Sequence, residues 1–258
     1  MFNDAVDLWE FYGTSLGQLA QRMIRRRVRE IWPNLHGLDL MGLGYATPVV
    51  RPFRDEAARV FQVMPAQQGV MKWPREGPGL VTLADEAELP LPDVSVDRVL
   101  MVHAVECSEQ LRDMLEEVWR VLTGDGRVVV VVPNRSGLWS RSDATPFGHG
   151  HPYTPRQLSR LLRDTMFTPV RTESALFVPP TRMRLLLRSA AAIEDIGARW
   201  FPRFAGVVLI EATKQIYASR PVAKTVLSRR RRLIPVPAPR ISVTRSDVRP
   251  LAIGPGQD

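Results

Sequence analysis

Gly37-Leu38-Asp39-Leu40-Met41-Gly42-Leu43-Gly44-Tyr45-Ala46 is the stretch from which the rest of the chain can be read. It opens as a short apolar strand, turns on two glycines and runs on toward a helix. Gly42 and Gly44 remove side chains at the turn, so backbone N–H groups there can approach a ligand closely. A strand, a glycine turn and a helix N-terminus form the usual cradle for a nucleotide-like cofactor. Many α/β turns need glycine for packing alone, so the flanking sequence has to carry the decision.

A chain of 258 residues suffices for one large α/β domain or two small ones. Hydrophobic content of 45% and charged content of 24% suit a globular protein rather than a disordered or membrane-embedded one. No apolar run reaches the roughly 18 residues that would span a bilayer. The acidic start, Met1 to Leu8, lacks the pattern of a signal peptide, and the one cysteine, Cys107, excludes an internal disulfide. Both features suit the cytoplasm. The net charge of +8 is uneven. Residues 220–258 hold nine Lys or Arg and two Asp, a net of +7, which leaves the first 219 residues at +1.

Three parts follow: an N-terminal helical segment and lid candidate (1–34), an α/β domain (35–219) and a basic, Pro-rich tail (220–258) expected to be disordered. In residues 5–32, Val6, Trp9, Leu16, Leu19, Met23, Ile24, Val28 and Ile31 recur at helical spacing. Arg25, Arg26, Arg27 and Arg29 between them read as a solvated face. Pro48 to Ala58 is expected to be helical. Strands are expected at 60–64, 80–83, 96–102, 128–132, 170–178 and 206–217, and helices at 108–122, 154–163 and 181–197. Thr154-Pro155 supplies an N-cap and a first-turn proline. Such alternation argues for a mostly parallel sheet with helices on both faces.

Two further stretches carry a resemblance. Leu89-Pro90-Leu91-Pro92-Asp93-Val94-Ser95-Val96-Asp97-Arg98-Val99 resembles the L-P-F-x-D-x-S-F-D-x-V motif leading into a fourth strand. Leu115-x-Glu117-x-x-Arg120-Val121-Leu122-Thr123-Gly124-Asp125-Gly126 is similar to L-x-E-x-x-R-V-L-K-P-G-G before a fifth. With the glycine turn, these resemble class I S-adenosylmethionine-dependent methyltransferases, of the ubiquinone-biosynthesis-like (methyltransferase type 11) group, over about residues 36–135. The resemblance implies a Rossmann-like fold with a seven-stranded sheet, S-adenosylmethionine as cofactor and a small-molecule methyl acceptor. It places the cofactor against the peptide groups from Met41 to Tyr45, with Gly42 and Gly44 at the methionine and ribose. Asp85, or its neighbour Glu86, would stand near the adenine. His103 would stand near the methionine end or the acceptor, and Tyr12 lies in a segment able to fold over the pocket.

The chain departs from the family at two places. The acidic residue that usually stands two before the first glycine is Leu40 here, with Asp39 one further back. Met64 occupies the end of the second strand, where Asp or Glu usually holds the ribose. A charge-assisted bond lost there would cost roughly 1.5–3 kcal/mol. Gln62 and Gln67 are candidates to replace it.

Methyl transfer from a sulfonium is an in-line displacement, so the protein mainly aligns the acceptor and excludes water. A base assists where the acceptor must lose a proton, and His103, Glu106, His149 and His151 are the candidates. The long segment Asn134 to Tyr153, with Trp139, Phe147 and Tyr153, reads as a lid or acceptor-side wall. His149 and His151 lack a third clustered ligand, so no metal is expected. Arg229 to Arg232 have no aromatic residue between them, which argues against base stacking and leaves weak electrostatic contact with nucleic acid or a membrane surface. Two alternatives stay open: a non-catalytic relative with weakened cofactor binding, and a nicotinamide-dependent oxidoreductase. The oligomeric state is open too.

Overall fold

The computed structural model describes residues 4–181 and 189–216. In chain order the elements are α1 (Ala5–Gly13), α2 (Ser15–Ile31), β1 (Asp39–Gly44), α3 (Thr47–Val50), β2 (Arg59–Pro65), β3 (Val81–Ala84), β4 (Val96–Val102), α4 (Leu111–Val121), β5 (Leu122–Pro133), α5 (Pro155–Asp164), β6 (Phe167–Ala175), α6 (Ala190–Trp200) and β7 (Val207–Lys214). The tail from 220 onward, with Arg229 to Arg232, lies outside the described residues, as does part of the helix expected at 181–197.

The seven strands form one sheet in the order β3-β2-β1-β4-β5-β7-β6. The five strands from β3 to β5 are mutually parallel, while β7 runs antiparallel to β5 and β6 antiparallel to β7. Strand side chains alternate between faces, and here both faces are covered. Leu40, Val60, Met64, Leu100 and Val102 pack with α1, α2 and α3, whereas Met41, Leu43, Val63, Val99 and Met101 pack with α4 and α5. That double cover is why Val128 to Val132 is an unbroken apolar run, buried throughout.

Local sequence sets the helix ends. The Thr14 hydroxyl accepts from the Gly17 N–H and divides the N-terminal segment into α1 and α2. Gly17 sits so close to the Phe11 carbonyl that a Cβ would lie 2.0 Å from its oxygen. This break rotates α1: Ala5, Leu8, Phe11 and Tyr12 are buried, while Val6 and Trp9, expected in the core, are exposed. The helix expected over Pro48 to Ala58 shrinks to α3 and a 3-10 turn, Arg51–Phe53. Pro52 has no N–H to continue the ladder. At α5 the expected Thr154 cap is completed by Gln157 into a reciprocal capping box.

The two motifs that carried the resemblance clasp each other. The Glu117 carboxylate accepts from the Leu89 N–H at 2.8 Å and from the Arg120 guanidinium at 2.7 and 2.8 Å. Arg120 also donates to the Leu89 and Leu91 carbonyls and to Asp93. One α4 guanidinium thereby fixes the loop that feeds β4. The Arg120 hydrogen bond is also the main cause of the Glu117 carboxyl lying below its usual pKa, and Glu117 holds Arg120 above its own. Because Glu117 is lowered on folding, its contribution is present above the unfolded carboxylate pKa of about 4.3 and is lost as pH falls below it. Arg120→Ala is expected to cost about 1–3 kcal/mol in denaturant unfolding at neutral pH. Below about pH 4 the difference from the parent should shrink, and a pH-independent difference would show that Glu117 is not its source.

Candidate functional site

The parallel strands β1 to β4 end on one edge of the sheet, where open α/β sheets bind their ligands. Gly44 and Val102 are paired there, as are Met64 and Leu83 one strand further out. Tyr45, Gln68, Asp85 and His103 follow those ends, so most residues singled out from the sequence gather at this edge. Asp39 does not. It begins β1, about 16 Å down the strand from Gly44, and pairs with Arg59 through two hydrogen bonds. The Arg59 bond is the main reason its carboxyl lies below the usual pKa.

His103 is the centre of the edge. It is 1% exposed and has a left-handed backbone, φ 53°. Its Nδ1 lies 3.0 Å from Glu106 Oε1 and its Nε2 lies 2.9 Å from the Tyr12 hydroxyl. An ionised carboxylate only accepts, so Nδ1 carries the proton and Nε2 accepts from Tyr12. Burial, then the neighbouring Tyr45 and Glu106, hold the Tyr12 hydroxyl well above the usual phenol pKa. The hydroxyl therefore keeps its proton. Tyr12 stacks on Tyr45 with ring centroids 5.8 Å apart, and Phe147 lies 4.9 Å from the imidazole.

The segment from Asn134 to Tyr153 is thus a packed wall. Trp139 is fully buried, and its indole donates to the Val178 carbonyl at 2.7 Å. The other two candidate histidines do not join His103. The His149 ring donates to the Asp143 carbonyl, and His151 touches the site only through its backbone N–H on the Glu106 carbonyl. No metal-ligating cluster occurs among the described residues. Burial raises the Cys107 thiol pKa strongly, which removes it as a nucleophile.

The acidic residues at the end of β3 divide their roles. Asp85 is exposed and accepts from the Ala87 N–H at 2.9 Å. Glu86 is buried and accepts from the Glu109 and Gln110 N–H groups just before α4. Met64 is buried in the core, and Met41 lends the site only its peptide groups because its side chain packs toward α4.

The two glycines differ. A Cβ on Gly44, at φ +77°, would stand 2.5 Å from the Val102 carbonyl oxygen, so this glycine serves the close approach of β1 to the end of β4. A Cβ on Gly42 would meet Ala46 and the Gln62 side chain at 3.0–3.1 Å.

The residues present match an adenosyl sulfonium in chemistry. Gln62 Oε1, Gln68 Oε1 and Glu106 Oε2 are buried without a hydrogen-bond partner. All three are acceptors, as a ligand with hydroxyl, ammonium and sulfonium groups requires. The hollow itself is filled by the protein's own side chains in this conformation. Gln62 covers Gly42 and donates to Thr47, Gln68 donates to the His103 carbonyl, and Tyr12 closes over His103. Gln68 was not singled out from the sequence, where nothing distinguishes it from the exposed Gln67.

This sheet order is the class I S-adenosylmethionine-dependent methyltransferase fold. Residues 38–130 match the protein family described as a methyltransferase domain. A Mycobacterium tuberculosis protein named as a probable S-adenosylmethionine-dependent methyltransferase is 33% identical over 142 residues, 52% of this chain and 51% of that one. The chain therefore spans about half the length of the curated relatives it matches. A solved S-adenosylmethionine-dependent methyltransferase from Thermotoga maritima superposes with a TM-score of 0.59 at 17% identity, covering 83% of this chain and 98% of that one. The Burkholderia thailandensis 1,6-didemethyltoxoflavin-N1-methyltransferase, solved with its acceptor and S-adenosylhomocysteine, gives 0.52 at 15% identity, covering 83% and 84%.

Gly44→Ala is expected to cost at least about 2 kcal/mol, from left-handed backbone strain and the Val102 clash. Gly42→Ala should cost less, since its backbone is not left-handed and the added methyl meets the Ala46 methyl and the Gln62 side chain at 3.0–3.1 Å rather than a carbonyl at 2.5 Å. Thermal unfolding of both variants compares them, and equal losses would refute the distinction.

Proposed function

We propose that this chain transfers a methyl group from S-adenosylmethionine to a small-molecule acceptor at the edge formed by β1, β2 and β4, in the cytoplasm. The observation that carries the reading is the set of three buried, unpartnered acceptor oxygens on Gln62, Gln68 and Glu106, all within the residues that match the methyltransferase domain. Assignment to the ubiquinone-biosynthesis-like group rests on the clasped motifs at Leu89–Val99 and Leu115–Gly126. The peptide groups from Gly42 to Tyr45, with Gln62, Gln68 and Glu106, would hold the cofactor. Asp85 would face its base from the end of β3. The bound cofactor supplies an electrophilic methyl group on a sulfonium.

The protein's own part is to bind, dry and deprotonate. Gln62 takes the ribose-binding duty that Met64 cannot perform. Tyr12 and Gln68 withdraw to admit the ligands. Phe147 excludes water beside the imidazole. With Tyr12 drawn aside, His103 Nε2 is free to take the acceptor's proton, and Glu106 balances the imidazolium that results. Neither His149 nor His151 is needed for that step.

Calorimetry with S-adenosylmethionine and S-adenosylhomocysteine tests the reading, with NADH as the control. Saturable binding of the first two alone is expected, and no heat from either would refute it. Gln62→Ala should weaken S-adenosylhomocysteine binding about 2- to 12-fold, the worth of one neutral hydrogen bond. His103→Asn keeps a residue that tolerates the left-handed backbone. It should lower methyl transfer about 100-fold or more, with cofactor affinity nearly unchanged. Once an acceptor is found by isotope transfer, equal loss of both would make His103 a binding residue instead.

A further inference from the structure

A cavity of about 1120 Å³ opens next to the cofactor edge, between α1, α2, the turn after α3 and the loop joining β2 to β3, and it shares Tyr12, Tyr45 and Thr47 with that edge. Neither His103 nor Gly42 nor Gly44 lines it. Five cations do: Arg25, Arg51, Arg54, Lys72 and Arg75, against the two carboxylates Asp55 and Glu76. None of the five appears in an ion pair among the described residues. Arg25 is anchored through its Nε on the Pro48 carbonyl, which leaves the terminal nitrogens for other partners. Burial, then the charge of Arg51, lowers its pKa. Two like charges are thus held close together without a counter-ion, an arrangement that an anion would relieve.

Four aromatic residues stand among the remaining lining. They are Trp9, with the Arg75 guanidinium 5.2 Å from its ring, and Tyr12, Tyr45 and Trp73. The volume suits a ligand of ordinary small-molecule size or somewhat larger. S-adenosylmethionine carries a net positive charge, so a cleft with three excess cations is not built for it.

We propose that this cleft binds a small anionic ligand carrying a planar ring, held by a phosphoryl or carboxyl group on Arg25, Arg51 and Arg54 and by stacking on Trp9 and Trp73. The assignment does not depend on methyl transfer. Calorimetric titration of the full chain with phenyl phosphate, benzoate and benzyl alcohol tests it. At least one of the two anions should bind saturably and benzyl alcohol should not. The stronger of the two identifies the group the arginines are set for.

Arg51→Gln with Arg54→Gln changes exposed side chains and should weaken the anion about tenfold or more. Arg160→Gln, on the exposed face of α5, should leave it unchanged. S-adenosylhomocysteine affinity should stay within about twofold in the double variant, since neither arginine belongs to the set formed by the Gly42–Tyr45 peptides, Gln62, Gln68 and Glu106. Binding of neither anion, equal binding of the alcohol, or unchanged affinity in the double variant would overturn the proposal. So would parallel loss of S-adenosylhomocysteine, which would assign the cleft to the cofactor.

Discussion

The buried His103–Glu106 pair is the contact on which the arrangement of the site depends. It ties together three parts of the chain that are distant in sequence. His103 follows β4, Tyr12 reaches it from α1, and Phe147 covers it from the wall before α5. A carboxylate at 1% exposure must be compensated, and one of its oxygens is while the other is not. The fold thus supports an incompletely satisfied polar centre with a well-packed sheet on either side. Unsatisfied buried groups are costly, and the unpartnered acceptors on Gln62, Gln68 and Glu106 are the ones that a ligand at this edge would relieve.

The clasp between Glu117 and Arg120 does a different job. Its four hydrogen bonds to Leu89, Leu91 and Asp93 set the direction in which β4 starts, and His103 follows the end of β4. The motif most useful for recognising the fold therefore belongs to its scaffold. Its residues need not touch a ligand to be required for one.

Much of the architecture was legible because it is local. Strand periods, the Thr154 cap and the apolar run at Val128–Val132 depend on near neighbours and were readable in place. The misreadings came where a non-local contact or a single proline decided. Trp9 and Val6 left the core because Thr14 broke the helix, and the helix after the glycine turn stopped early at Pro52. Asp39, one position off the family's usual acidic place, is engaged by Arg59 at the other end of the strand.

The amino-acid order alone determined the strand-and-helix alternation, the glycine turn, the motif pair and the gathering of Tyr45, Asp85 and His103 after successive strands. Those follow from periodicity and from the rule that parallel strands end on one side. Only the tertiary structure decided that Gln68 rather than Gln67 faces inward, that Tyr12 meets His103, and that five cations from three segments share one cleft. Side-chain direction in an irregular loop and encounters between distant segments depend on how the whole chain packs. No residue carries that information in its immediate neighbours.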